Sequence, residues 1–315
     1  FFYIHPMTDG RITEFFGESG ITVGDLAGED LNEFYAYLYD NGLSAATAQR
    51  YHGIIHAALK YAVKKEYLDD NPCDHADRPK QEKYHASFYS EEEVKALLTA
   101  AKGETAFIPI LLAAYYGLRR SEALGLKWSN IDFQTKTISI SHKVVEAKVG
   151  GQYRPKGFDK MKNKSSNRML PLISEVENEL LNHKAQQKRN AQILGSAYSH
   201  EYDDYVCTDK TGCLLRPNYV TTHFGMILKK NGLRRIRFHD LRHTFATHAL
   251  ASGVDAKTLS GILGHTQASF TLDTYTHVTG DMQKQAANTV CDFMTDLLGE
   301  EWKPWQENER TAKEL

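Results

Sequence analysis

Cysteine is scarce in this sequence: Cys73, Cys207, Cys213 and Cys291 are dispersed along 315 residues, and none forms a C-x-x-C pair. Neither a disulfide framework nor a cysteine-ligated zinc site is indicated, and a reducing compartment is the natural inference. Long hydrophobic runs are lacking too. The longest, from Ala106 to Leu118, contains Pro109 and Gly117 and is too short to span a bilayer, so it reads as a buried helix. No targeting segment, internal repeat or low-complexity tract is visible, and a first residue of Phe rather than Met leads us to expect a truncated N-terminus. Net charge is nearly absent as well. A value of -2 argues, taken globally, against a polyanion partner.

What is present modifies that last inference. With 41% hydrophobic and 25% charged residues the chain has the profile of a soluble globular protein, long enough for two domains. Its charge is unevenly distributed. Residues 142 to 170 carry eight Lys and Arg against Glu146 and Asp159, and residues 228 to 243 carry six against Asp240. A basic centre with acidic flanks fits a groove that neutralises phosphates, although for either run alone a solvated mixed surface is the plainer reading.

Helical periodicity opens the chain. Leu31, Phe34, Tyr35 and Leu38 form one apolar stripe, and Ser44 stands where it would cap a helix from Ala45 to Lys65. That helix carries Arg50, His52, His56, Lys60, Lys64 and Lys65, compatible with a groove-facing surface or with plain exposure. Residues 69 to 88 contain Pro72 and Pro79 and few aliphatics, which marks a linker. Ser90 and Glu93 then form a capping box for a helix that Gly103 closes. Alternation at 137–141 and around Met169-Leu170 predicts a short antiparallel sheet whose hairpin is the lysine-rich stretch. Helices follow, capped by Ser174, started at Pro217 and broken at Gly232, Gly253 and Gly264.

The densest chemistry lies between Arg237 and His248, where His239, Arg242, His243 and His248 share a dozen residues with Asp240 as the sole acid. On a helix, His239, Arg242 and His243 would lie on one side, suited to an anion or to a metal. Three further pieces belong with it: GLRRSEALGL at 117–126, KMKNKSSNRMLPL at 160–172 and LGHTQASFTLDTYTH at 263–277. Together the four resemble the catalytic signature of the tyrosine recombinase, or integrase, family of phages and conjugative transposons.

The resemblance implies a mainly α fold with a small antiparallel β-sheet, arranged as a two-domain DNA clamp. Residues 1–72 would form a helical core-DNA-binding domain, 73–88 the linker, 89–280 the catalytic domain, and 281–315 a C-terminal helix and tail. Carried over by position, Arg119 is the first arginine, Lys162 the hairpin lysine, His239 and Arg242 the H-x-x-R pair, His265 the later histidine and Tyr275 the nucleophile. Glu122 supports the first arginine's helix, and Lys164 is the runner-up to Lys162. The implied activity is site-specific cleavage and rejoining of DNA through a 3′-phosphotyrosyl intermediate, for integration and excision of a mobile element, with no cofactor and no metal. The implied partners are double-stranded attachment sites, further copies of the chain in a tetrameric synapse, and an excisionase or DNA-bending accessory protein, in a bacterial cytoplasm and away from membranes.

The chemistry explains the residue types. A phosphodiester is anionic and its pentacoordinate transition state more so; two guanidiniums, charged at any working pH, can clamp it from different helices. Ionising a tyrosine of pKa near 10 at pH 7 costs about 4 kcal/mol, which a base and a cationic pocket must offset. The resemblance gives His239 the base's role, Lys162 that of the acid for the departing 5′ oxygen, and His265 a hydrogen bond to a non-bridging oxygen. Three rivals stand beside this reading. A zinc-dependent hydrolase would pair His239 and His243 with His248 or His265, but Asp240 stands where its general-base Glu belongs. A non-catalytic DNA-binding protein would not need Arg119, His239, Arg242 and Tyr275 intact. A type IB topoisomerase shares the chemistry. In the tail, Ala287, Val290, Phe293, Met294 and Leu297 form one stripe; the resemblance implies that it packs on a neighbouring protomer, the alternative being a helix folded back on its own core.

Overall fold

Two compact units, residues 1–85 and 86–315, divide the computed structural model. It describes residues 6–17, 19–80, 87–149, 151–159, 167–264 and, in the tail, 287–288, 290–294 and 296–297. The first unit is helical, with α1 (Pro6–Phe16), α2 (Gly28–Asp40) and α3 (Ala45–Lys64). Leu31, Phe34, Tyr35 and Leu38 are all buried, so the predicted stripe is the inner face of α2. It meets Ala48, Tyr51, Ile55 and Leu59 of α3, whose start is fixed by Ser44 Oγ accepting from the Thr47 amide. The basic character of α3 is only partly outward: His52 is buried and shares a 2.7 Å hydrogen bond with the Tyr35 hydroxyl. The expected linker begins inside this unit, because Pro72–Asp74 make a 3-10 turn whose Cys73 is buried in the same core.

The second unit grows around α5 (Phe107–Tyr116), the predicted buried helix; seven of its ten residues are buried. Each large apolar side chain removed from water there contributes about 1.5–3 kcal/mol. Before it lies α4 (Glu91–Ala101), with the Ser90–Glu93 capping box formed as expected. After it come α6 (Arg120–Gly125), β1 (Ile131–Asp132) and β2 (Thr137–Ile140). A hairpin of β3 (Lys143–Val149) and β4 (Gln152–Phe158) precedes β5 (Arg168–Pro171). Strand β2 pairs antiparallel with β1 and β5, opposing Ile138 to Leu170, so the predicted pairing of these two alternating segments is present. The structure corrects what joins them: β3 and β4 form a separate two-stranded sheet rather than one lysine-rich hairpin turn.

Helices α7 (Ser174–Leu194), α8 (Pro217–Lys230), α9 (Asp240–Ala251) and α10 (Ala256–Leu263) complete the described fold. Ser174 is the first residue of α7 and Ile173 its cap, a one-residue shift from the expectation. Gly232, Gly253 and Gly264 end their helices with positive φ, as expected of residues free of a Cβ clash. Ala246 and Leu250 of α9 pack on Leu259 and Leu263 of α10, which seats the end of α10 against α9. Among the described residues no helix is long and apolar enough to cross a membrane.

Candidate active site

Helix α5 stops at Gly117, whose φ of +61° turns the chain sharply. A Cβ there would lie 2.6 Å from Leu263 Cδ2 and 2.7 Å from Phe245 Cδ1. The turn delivers Arg119 to the N-cap of α6. Its backbone amide donates to Glu122 Oε2 at 3.1 Å and its Nη1 to Glu122 Oε1 at 2.7 Å. An acid three residues into a helix suits the positive end of the helix dipole, and here it also aims the guanidinium. Glu122 is only 2% exposed and accepts a second guanidinium, Arg168 Nη2, at 2.9 Å. Burial by itself would raise its carboxyl pKa, but Arg168 and Arg119 outweigh burial and hold it below the ordinary value.

Arg242 reaches the same place from α9. It is 3% exposed, and its Nη1 donates to the Gly117 carbonyl at 2.8 Å and its Nη2 to the Leu263 carbonyl at 2.7 Å. Arg119 Nη2 meets the next carbonyl, that of Gly264, at 3.4 Å. Two guanidiniums from motifs far apart in sequence therefore sit on adjacent peptide units. Gly117→Ala is expected to lower stability by about 2–4 kcal/mol, from left-handed strain and overpacking together, and to displace the carbonyl that receives Arg242. Denaturant unfolding measures the first effect; an unchanged midpoint would contradict the packing account.

His239 precedes α9 and reaches the surface, with its ring edge-on to that of His243 at a centroid distance of 5.2 Å. The surrounding protein, then His243, Arg242 and Arg237, disfavour a further positive charge, and its pKa falls to about 4. At neutral pH the ring is thus unprotonated and has a lone pair to offer. Because the folded protein resists protonating it, lowering the pH from about 6.5 toward 4 favours the unfolded chain through this group. In the Tyr275→Phe protein, NMR titration is expected to place the His239 midpoint near 4 and to move it upward when DNA brings a phosphate beside it. A midpoint near 6.5 without DNA would show that the ring is not so surrounded.

Asp240, which stands where a zinc hydrolase would carry its general-base Glu, is 1% exposed and paired with Arg237 at 2.8 Å. His248 shares its Nε2 with the Tyr89 carbonyl at 2.7 Å. Among the described residues no three His, Cys, Asp or Glu side chains converge as a metal site would require. Lys162, Lys164, His265 and Tyr275 lie outside the described residues; of the other expected site residues, the structure sets Arg119 and Arg242 on adjacent carbonyls, with His239 one helical turn before Arg242.

Comparison with known proteins identifies the family. Residues 87–281 match the model of the phage integrase family, and residues 8–80 that of the phage integrase SAM-like domain. The chain belongs to the phage integrase family. As a family member it is a tyrosine recombinase, an enzyme of site-specific DNA strand transfer. It is 30% identical over 285 residues to a XerC-like tyrosine recombinase of Caldanaerobacter subterraneus subsp. tengcongensis, covering 87% of this chain and 73% of that one. The transposase of transposon Tn916 from Enterococcus faecalis is 26% identical over 271 residues, 82% of this chain and 65% of that one. In fold, the integrase resembles the Tn1549 transposon integrase, solved in complex with transposon right end DNA, with a TM-score of 0.74 at 20% identity over 90% of this chain and 93% of that one. Neither the topoisomerase nor the hydrolase reading is favoured by these relatives.

Sequence reasoning missed two parts of the site. Arg168 is one of the eight basic residues of the 142–170 run, where charge alone suggests exposure, whereas the alternation of β5 turns it inward beside Leu170, leaving it 7% exposed. The backbone carbonyls of Gly117, Ile262, Leu263 and Gly264 carry no side-chain signal at all.

Proposed function

We propose that this recombinase integrates and excises a mobile element by cutting each strand with Tyr275 and resealing it to a new partner. The observation that carries the reading is the placement of Arg119 and Arg242 on the adjacent carbonyls of Gly264 and Leu263. From there two planar forks can meet a phosphate from different sides, each charged hydrogen bond contributing roughly 1.5–3 kcal/mol. Tyr275 Oη attacks phosphorus, the P–O5′ bond breaks, His239 takes the tyrosyl proton, and Lys162 or Lys164 protonates the departing oxygen. His265 donates to a non-bridging oxygen. The phosphotyrosyl ester keeps the bond energy, so a second 5′-hydroxyl restores the backbone by the reverse step.

Relatives of known structure support the setting. A XerH site-specific recombinase is bound to its palindromic difH substrate in a post-cleavage complex, and lambda integrase is a dimer on a core site. By the same reading this chain binds double-stranded attachment sites, assembles as a tetrameric synapse and works in a bacterial cytoplasm, with an excisionase or DNA-bending protein setting direction. Val290, Phe293 and Leu297 of the tail are 60–65% exposed in the single chain, in keeping with a role for that stripe between protomers. The test is incubation with nicked attachment-site DNA in EDTA, followed by a denaturing gel. A covalent protein–DNA band is expected without metal or ATP; a strict requirement for metal would overturn the mechanism.

A further inference from the structure

Three successive carbonyls at the C-terminal end of α10 each accept from a different arginine. Ile262 O receives Arg168 Nε at 2.5 Å, Leu263 O receives Arg242 Nη2 at 2.7 Å, and Gly264 O receives Arg119 Nη2 at 3.4 Å. The last carbonyls of a helix lack intrahelical partners and carry the negative end of its dipole, so cations suit them. Two of the three arginines are accounted for by the phosphate. Arg168 is not: its side chain is 7% exposed, and it spans Ile262 O with Nε and Glu122 Oε2 with Nη2. The other oxygen of Glu122 takes Arg119 Nη1.

We propose that Arg168 is a positioning residue for the strand-transfer reaction, acting on the phosphate through Glu122 and Arg119 rather than by touching it. The inference rests on the reading of Arg119 given above. Each oxygen of the Glu122 carboxylate is committed to one guanidinium, so turning the carboxylate turns Arg119. Arg168 shares Oε2 with the Arg119 backbone amide and so helps to fix that rotation, and with the same planar group it ties the carboxylate to the end of α10, one peptide before Arg242's carbonyl and two before Arg119's. It thereby sets the distance between the strand that follows the lysine-rich segment and the helix that leads into His265. Lysine cannot replace it, because an ammonium lacks the coplanar Nε and Nη2 donors that address two acceptors at once.

The experiment is a double-mutant cycle read by single-turnover formation of the covalent complex on nicked site DNA, with DNA binding and thermal unfolding measured alongside. Arg168→Lys is expected to bind DNA within about threefold of wild type yet to form the complex about 100-fold more slowly. In the Arg119→Ala background the same change is expected to cost less than about threefold, since the group it positions is gone. A second variant, Arg168→Met with Glu122→Gln, removes the buried charges together and avoids stranding one of them. It is expected to fold and to react as slowly as Arg119→Ala. Additive losses, a wild-type rate in the Arg168→Met/Glu122→Gln protein, or failure of both variants to fold would overturn the proposal. If wild type itself forms no complex, the recombinase reading fails instead, so the two failures are distinguishable.

Discussion

Tyr275→Phe is expected to abolish the covalent DNA complex, with a loss of about 10⁴-fold or more, while DNA binding stays within a few-fold of wild type. Phenylalanine keeps the ring and its packing and removes one oxygen, the atom that would form the bond to phosphorus. No neighbouring group can substitute for a nucleophile, which is why deleting one costs far more than deleting a single hydrogen bond. The comparison needs both assays: gel-shift binding to an intact site, and trapping on a nicked one. A covalent band that persists with phenylalanine would assign the attack to another of the 17 tyrosines or to a different class of nucleophile.

Arg242→Lys is the second large effect, and it should appear twice. In the reaction, loss of one preorganised charged donor at a developing negative charge costs roughly 10²–10³-fold. In the folded protein, the buried guanidinium holds the Gly117 and Leu263 carbonyls from two separate nitrogens, a spread that the single nitrogen of a shorter, non-planar lysine head does not reproduce. An orphaned buried acceptor costs about 1–3 kcal/mol, so denaturant unfolding should shift by that much. A change in rate with no change in stability would mean that the carbonyls find other partners when the guanidinium is gone.

These expectations show how unevenly the sequence disclosed its structure. The stripe of α2 and the caps at Ser44 and Ser90 were legible because they depend on local spacing alone. The pairing of Ile138 with Leu170 was legible because a period of two puts both on one buried face. The β3–β4 pairing was missed although a signal existed: the sequence reads Gly-Gly between Val149 and Gln152, a composition that favours a hairpin turn, and Val149 pairs with Gln152 while Gly151 has φ +83°. Its lysines drew attention to charge and away from turn chemistry. Arg119 and Arg242 were nominated through the four-motif resemblance, and the carbonyls that receive them were not. A backbone carbonyl has no residue identity, so only tertiary packing can nominate Leu263 or Gly264 as an acceptor.

The dependence of the arginines on α10 also has a temporal meaning. The carbonyl that receives Arg119 is supplied 145 residues later in the chain. At about 5–20 residues per second of synthesis, that is roughly 7–30 s during which the first arginine exists without its seat. A growing or truncated chain that ends before α10 has both arginines but neither of the adjacent carbonyls that register them.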